Sequence, residues 1–142
     1  MSWLPKSSVV VPVDFSDDSF TAVDAAFDLV ADASHLHVVH VLPTMEPAEP
    51  GVIWATIDNP SREHHALLAL RERLADARYK QISLTIKFGD PGHEIADFAQ
   101  EKKAELIVLP SHGRTGLTRL LLGSVAEKVV RLAHCPVLVL KK

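Results

Sequence analysis

The sequence predicts an α/β fold: an open, five-stranded parallel sheet with helices on both faces. Three observations carry that expectation. Five short runs rich in β-branched residues recur along the chain, at Val9–Val13, Leu36–Leu42, Ile82–Phe88, Leu106–Leu109 and Val137–Leu140. The segments between them carry apolar residues at helical spacing. Two of the runs, Val9-Val10-Val11 and Leu106-Ile107-Val108-Leu109, are apolar at every position, as strands covered on both faces are. Strands alternating with helices of this length imply right-handed crossovers and a parallel sheet.

Taken in order, the first helix is expected over roughly residues 17–31, with Phe20, Val23, Phe27 and Val30 on one face and Ser16 as its cap. The second, over about residues 61–78, carries Leu67, Leu70 and Leu74. The third starts at Asp90-Pro91, a capping side chain followed by proline at the first helical position, and buries Ile95, Phe98 and Ala99. The last runs from Ser124 to about Ala133 with Val125, Val129 and Leu132 inward, and Ser124-x-x-Glu127 reads as a capping box. Ile82, Leu84, Ile86 and Phe88 alternate with Ser83, Thr85 and Lys87, which suits an edge strand. The order 3-2-1-4-5 fits this patterning, with strands 1 and 4 adjacent where the winding reverses.

The chain has 142 residues, enough for one domain with a full core over residues 1–142. A composition of 47% hydrophobic and 23% charged residues excludes a disordered or fibrous chain. The net charge of −3 argues against a nucleic-acid or membrane-surface binder, which would carry a basic excess. No run approaches the ~20 apolar residues that span a bilayer, so no membrane insertion is expected. Cys135 is the single cysteine and cannot form an internal disulfide. With no apolar leader at the N-terminus, a reducing, cytoplasmic setting is the expectation.

In open α/β sheets ligands bind beyond the carboxyl ends of the strands, at the switch point. The residues expected there are Pro12-Val13-Asp14-Phe15-Ser16 after strand 1 and Pro110-Ser111-His112-Gly113 after strand 4. Asp14 therefore reads either as a turn aspartate or as a ligand-binding carboxylate. From Pro110 to Ser124 the chain holds three glycines, Arg114, Arg119 and His112, and no carboxylate. Gly113 and Gly123 permit close backbone approach to an oxyanion, and Gly123-Ser124 opens a helix whose N–H groups and dipole favour a phosphate. A helix start is equally consistent with a purely structural cap. No lysine follows the second glycine, so the segment is not a Walker motif and lacks the equipment for rapid triphosphate hydrolysis.

The segment from Leu109 to Val129, with Cys135-Pro-Val-Leu-Val-Leu after it, closely resembles the universal stress protein family, as do Val9-Val-Val-Pro-Val-Asp-Phe-Ser16 and His40-Val41. The resemblance covers nearly the whole chain. It implies a Rossmann-like fold of the adenine nucleotide alpha hydrolase type and a homodimer made through the last strand. Family members carrying glycine, two residues, glycine, nine residues, glycine and serine or threonine bind ATP or related adenine nucleotides such as AMP. Carried over by position, Asp14 meets the ribose or a nearby Mg ion, Pro12 and Val13 line the adenine side, and Val41 meets the adenine through its backbone. Gly113, Gly123, Ser124 and Val125 hold phosphates, with His112 and Arg114 inside the same segment. Pro110 replaces the first glycine of the pattern; it has no N–H and brings a ring beside the ribose.

Three features stand apart from that segment. Val137, Leu138, Val139 and Leu140 are all apolar on the open edge of the sheet, which predicts either pairing with a second copy or cover by nearby loops. The eight histidines include His35, His37 and His40 around strand 2 and the adjacent His64 and His65, read as surface or capping residues because no second ligand stands at metal spacing. Residues 43–60 form a long loop whose Met45, Ile53, Trp54 and Ile57 either cover an adenine or pack under the second helix. The function expected is a dimeric stress-response or signalling module that binds ATP or AMP. A nucleotide-independent interaction module and a slow ATPase are the alternatives.

Overall fold

Four consecutive residues, Val9–Pro12, form the central strand β1 and are buried along their whole length. The computed structural model describes residues 3–44, 58–112 and 122–141 of the chain. After β1 come α1 (Asp17–Phe27), β2 (Leu36–Leu42), α2 (Asn59–Arg73), β3 (Ser83–Phe88), α3 (Pro91–Glu101), β4 (Leu106–Pro110), α4 (Ser124–Leu132) and β5 (Val137–Leu140). Short 3-10 turns at Ala33–His35 and Ala77–Tyr79 lead into β2 and β3. The strands form one sheet in the order β3-β2-β1-β4-β5, and every neighbouring pair is parallel. The order read from the apolar runs is the order found.

Side chains alternate across the strands, so β1 feeds two cores. Val9, Val11 and Val13 pack with Leu36, Val38 and Val108 against Ala22, Val23 and Ala26 of α1 and Leu70 of α2. Val10 packs with Val39, Ile107 and Leu109 against Ile95, Phe98 and Ala99 of α3 and Ala126 and Val129 of α4. Helices thus cover both faces. The large fully buried side chains, Phe98, Leu36, Leu70, Leu106 and Ile107 among them, sit at this sheet–helix contact. Each contributes on the order of 2 kcal/mol by leaving water.

The caps follow the sequence at two helices. The Ser16 side chain accepts from the Ser19 N–H at the start of α1, and Asp90 accepts from the His93 N–H at the start of α3, with Pro91 in its first turn. Three expectations fail. The first helix ends at Phe27, short of Ala31, so Val30 lies beyond it and bridges to Lys6. The second helix starts at Asn59, capped by Asp58, and ends at Arg73; Asp76 then accepts from Arg78 N–H and tightens the chain into a 3-10 turn. In α4 the cap is Gly123, with no side-chain cap bond, so Ser124 is the first helical residue and the capping box does not form. That phase turns Val125 outward, 38% exposed, and places Ala126 and Val129 against the sheet. The Gly113, Arg114 and Arg119 positions, and residues 45–57 of the long loop, lie outside the described residues. Among the described residues no helix is long and apolar enough to cross a membrane.

Candidate functional site

Where β1 and β4 lie side by side, the chain leaves their carboxyl ends in opposite directions, to α1 and α4, and a crevice opens between. It is a cavity of about 270 Å³. Pro12, Val13 and Asp14 line it from the end of β1, Val39, His40 and Val41 from β2, and Leu109 and Pro110 from β4. Pro91 and Ile95 of α3 close one side, and Gly123, Ser124, Val125 and Ala126 form the edge at the start of α4. Residues as far apart in sequence as Pro12 and Ala126 thus line one cavity. Of the residues singled out in the sequence, Pro12, Val13, Asp14, Val41, Pro110, Gly123, Ser124 and Val125 meet here. His112 does not line the cavity; its Nδ1 lies 3.2 Å from the Ser111 hydroxyl.

The turn after β1 is held by several independent contacts. The Val13 N–H donates to the Val39 carbonyl at 2.9 Å, which extends the β1–β2 pairing by one residue. Asp14 Oδ1 accepts from the Ser16 N–H at 3.0 Å and from the Ser16 hydroxyl at 2.5 Å, an Asx turn. Ser19, 1% exposed, donates its hydroxyl to the Ser16 carbonyl at 2.8 Å. Between them Phe15 sits at φ 67°, a left-handed conformation that costs a side-chain-bearing residue about 1–2 kcal/mol. Such strain persists only where the surroundings over-determine it, and it clusters at ligand sites.

At the α4 edge the backbone donors have separate fates. The Gly123 N–H donates to the Ser111 carbonyl at 2.6 Å, so it is engaged within the protein rather than offered to the cavity. The Gly123 carbonyl accepts from the Glu127 N–H at 2.9 Å and begins the helical ladder. No described residue accepts from the N–H of Ser124, Val125 or Ala126. These are the orphan donors of a helix start, at the positive end of its dipole, and they stand at the cavity edge. Asp14 is the one carboxylate among the described lining residues, and no lysine or arginine is among them.

The α3 and α4 walls are clasped together. Lys128 Nζ lies 3.3 and 3.2 Å from the two Asp90 oxygens, and His93 Nδ1 lies 2.8 Å from Asp90 Oδ2. The hydrogen bonds from His93, with Lys128 adding to them, hold the Asp90 carboxyl down to about 2. Beneath this pair the Lys128 stem crosses Gly92 so closely that a Cβ there would lie 2.4 Å from Lys128 Cδ and 2.7 Å from its Cβ. The glycine is what allows α4 to approach α3 at the cavity.

Sequence reading missed Ser19, Val39, His40, Pro91, Ile95, Leu109 and Ala126 as lining residues. Pro91 carried a usable signal, since a helix after β3 must start at the same end of the sheet. His40 carried none, because its role depends on a partner 27 positions away. Among the described residues there is no cluster of three metal-ligating side chains. Cys135 is partly buried, and burial pushes its thiol up, away from the reactive thiolate.

Against known proteins, the family model described as the universal stress protein family matches residues 7–141. Universal stress protein MJ0531 of Methanocaldococcus jannaschii is 40% identical over 140 residues, covering 94% of this chain and 81% of the relative. Among solved structures, UspA from Lactobacillus plantarum superposes with a TM-score of 0.72 at 29% identity, covering 94% of this chain and 97% of that one. A universal stress protein in complex with cAMP superposes with a TM-score of 0.60, also at 29% identity, over 96% of this chain and 97% of that one.

Proposed function

This chain belongs to the universal stress protein family, and from that premise we propose that it binds an adenine nucleotide, ATP or AMP, in the cavity between the ends of β1 and β4. The observation that carries the reading is the pairing of two chemically different walls in one cavity. Val41, Pro12 and Ile95 give an apolar surface suited to a base, and the N–H groups of Ser124, Val125 and Ala126, which have no acceptor among the described residues, give an anion site at the start of α4. Asp14 lines the same cavity, where a ribose hydroxyl would donate to its carboxylate, and Pro110 lines it from the end of β4. A related protein of the same fold was solved with cAMP, which supports an adenine nucleotide over other anions. If a Mg ion accompanies the phosphates, Asp14 is the residue to hold it, since Mg ions are commonly bound through one carboxylate and the phosphate oxygens.

The phosphate contact proposed differs in one atom from the family expectation. Gly123 contributes closeness of approach, because its own N–H serves Ser111, and the donors are the three amides after it. In this reading the whole chain acts as one cytoplasmic domain, dimerises through β5 and works as a stress-response or signalling module. Isothermal titration with ATP, ADP, AMP and cAMP tests the binding step. Heat with at least one is expected; no heat with any of them at high protein concentration contradicts it.

Pro110 favours a second reading, a scaffold that acts through protein contacts without a nucleotide. It removes a donor and adds a ring at the cavity wall. Titration of Pro110→Gly separates the two readings: a nucleotide that binds this variant and not the unaltered protein supports the scaffold.

A further inference from the structure

Asp14 lines the cavity from a turn that holds Phe15 at φ 67°, and one imidazole touches that turn in two places. His40 Nδ1 lies 2.7 Å from the Val13 carbonyl oxygen. A carbonyl can only accept, so Nδ1 carries the proton in this contact. The His40 ring also meets the Phe15 ring edge-on, with centroids 4.8 Å apart and planes at 78°. Phe15 is the residue at φ 67°. Val13 is thereby gripped by β2 on both sides, its N–H by the Val39 carbonyl and its carbonyl by His40. The next residue is Asp14, and His40 itself lines the cavity.

We propose that His40 is a positioning residue for the nucleotide site: its Nδ1–H on Val13 and its ring against Phe15 hold the β1–α1 turn in the form that presents Asp14. The inference rests on the nucleotide reading above for its effect on binding, but the clamp itself does not. Removing the Nδ1 donor leaves the Val13 carbonyl without its side-chain partner and lets Phe15 relax toward an ordinary conformation, which draws Asp14 away from the ligand.

Two substitutions separate the donor from the ring. His40→Phe keeps an aromatic group against Phe15 and loses the donor; His40→Asn carries an amide N–H near the Nδ1 position and loses the ring. Affinity for ATP and AMP is measured by titration, with the unfolding midpoint of each variant alongside. His40→Phe should weaken binding by about tenfold or more, the scale of one lost buried hydrogen bond, and His40→Asn should restore most of it. Ring nitrogen NMR of the ligand-free, unaltered protein should show His40 protonated at Nδ1. Unchanged affinity in His40→Phe, equal losses in both variants, or an Nδ1 without a proton would each overturn the proposal. If His40→Phe does not fold, the ring nitrogen spectrum and His40→Asn decide. Should the unaltered protein bind neither nucleotide, the nucleotide reading falls, and the same spectrum still tests the clamp.

Discussion

His37 shows how a single side chain couples this fold to pH. Its Nδ1 is buried with no partner among the described residues, and burial lowers its pKa from the ordinary 6.5, with Lys102 and His35 adding to the effect. A lowered histidine pKa means that the unfolded chain takes up a proton that the folded chain resists. Stability should therefore be full above about pH 6.5 and fall as pH drops from there toward the lowered folded value. Urea unfolding midpoints should be lower at mildly acidic than at neutral pH, and His37→Gln should flatten part of that slope. An unchanged slope in the variant would show that other groups carry it. At the same scale, Asp14 was legible in the sequence because it directly follows an apolar run at the switch point. His40 was not, since a strand alternation of Leu36-His37-Val38-Val39-His40 offers the same pattern for a surface histidine and for one bonded to Val13.

Between elements, the contact that shapes the cavity is that of α3 with α4. A Cβ at position 92 would overlap the Lys128 stem at three carbons, including one 2.7 Å away at the rigid base of the side chain. Gly92→Ala should therefore destabilise the protein by about 1–3 kcal/mol, as overpacking does. It should also weaken nucleotide binding, because α4 carries the donor amides. Lys128→Ala removes two of the three overlapping carbons, Cγ and Cδ, together with the ion pair to Asp90, and leaves only the Cβ contact, so the double variant should lose less than the sum of the singles in denaturant unfolding. Additive losses would mean that the two residues do not meet. The helix starts at Ser16 and Asp90 were readable because a capping side chain followed by an apolar stripe is a local signal. The start of α4 misled for the same reason. Ser124 and Glu127 have the right spacing, but Gly123 is fixed from outside the helix by Ser111 and takes the cap position first. The end of α2 at Arg73 was likewise set from outside the helix, by the turn that Asp76 makes with Arg78.

For the molecule as a whole, the sheet order was the most legible feature, because continuous apolar runs mark β1 and β4 as central and the alternation in β3 marks an edge. The opposite edge is β5, which pairs with β4 and carries Val137, Leu138, Val139 and Leu140, with Leu138 36% exposed. An apolar edge strand left open is an aggregation liability, and self-pairing in a two-fold dimer removes it. Sedimentation of the unaltered protein should give a dimer at micromolar concentration. Leu138→Asp should give a monomer with little loss of stability, since the side chain is already partly in water. A monomer in both, or a dimer in both, would contradict assembly through this strand. The central claim is that one cavity at the switch point holds the nucleotide between the end of β1 and the start of α4. Backbone amide NMR during titration with ATP, then AMP, tests it most directly. The shifts should concentrate at Asp14, Val41 and Ser124 through Ala126. No shifts with either nucleotide, or shifts confined to the other end of the sheet around Lys6 and Glu105, would contradict it.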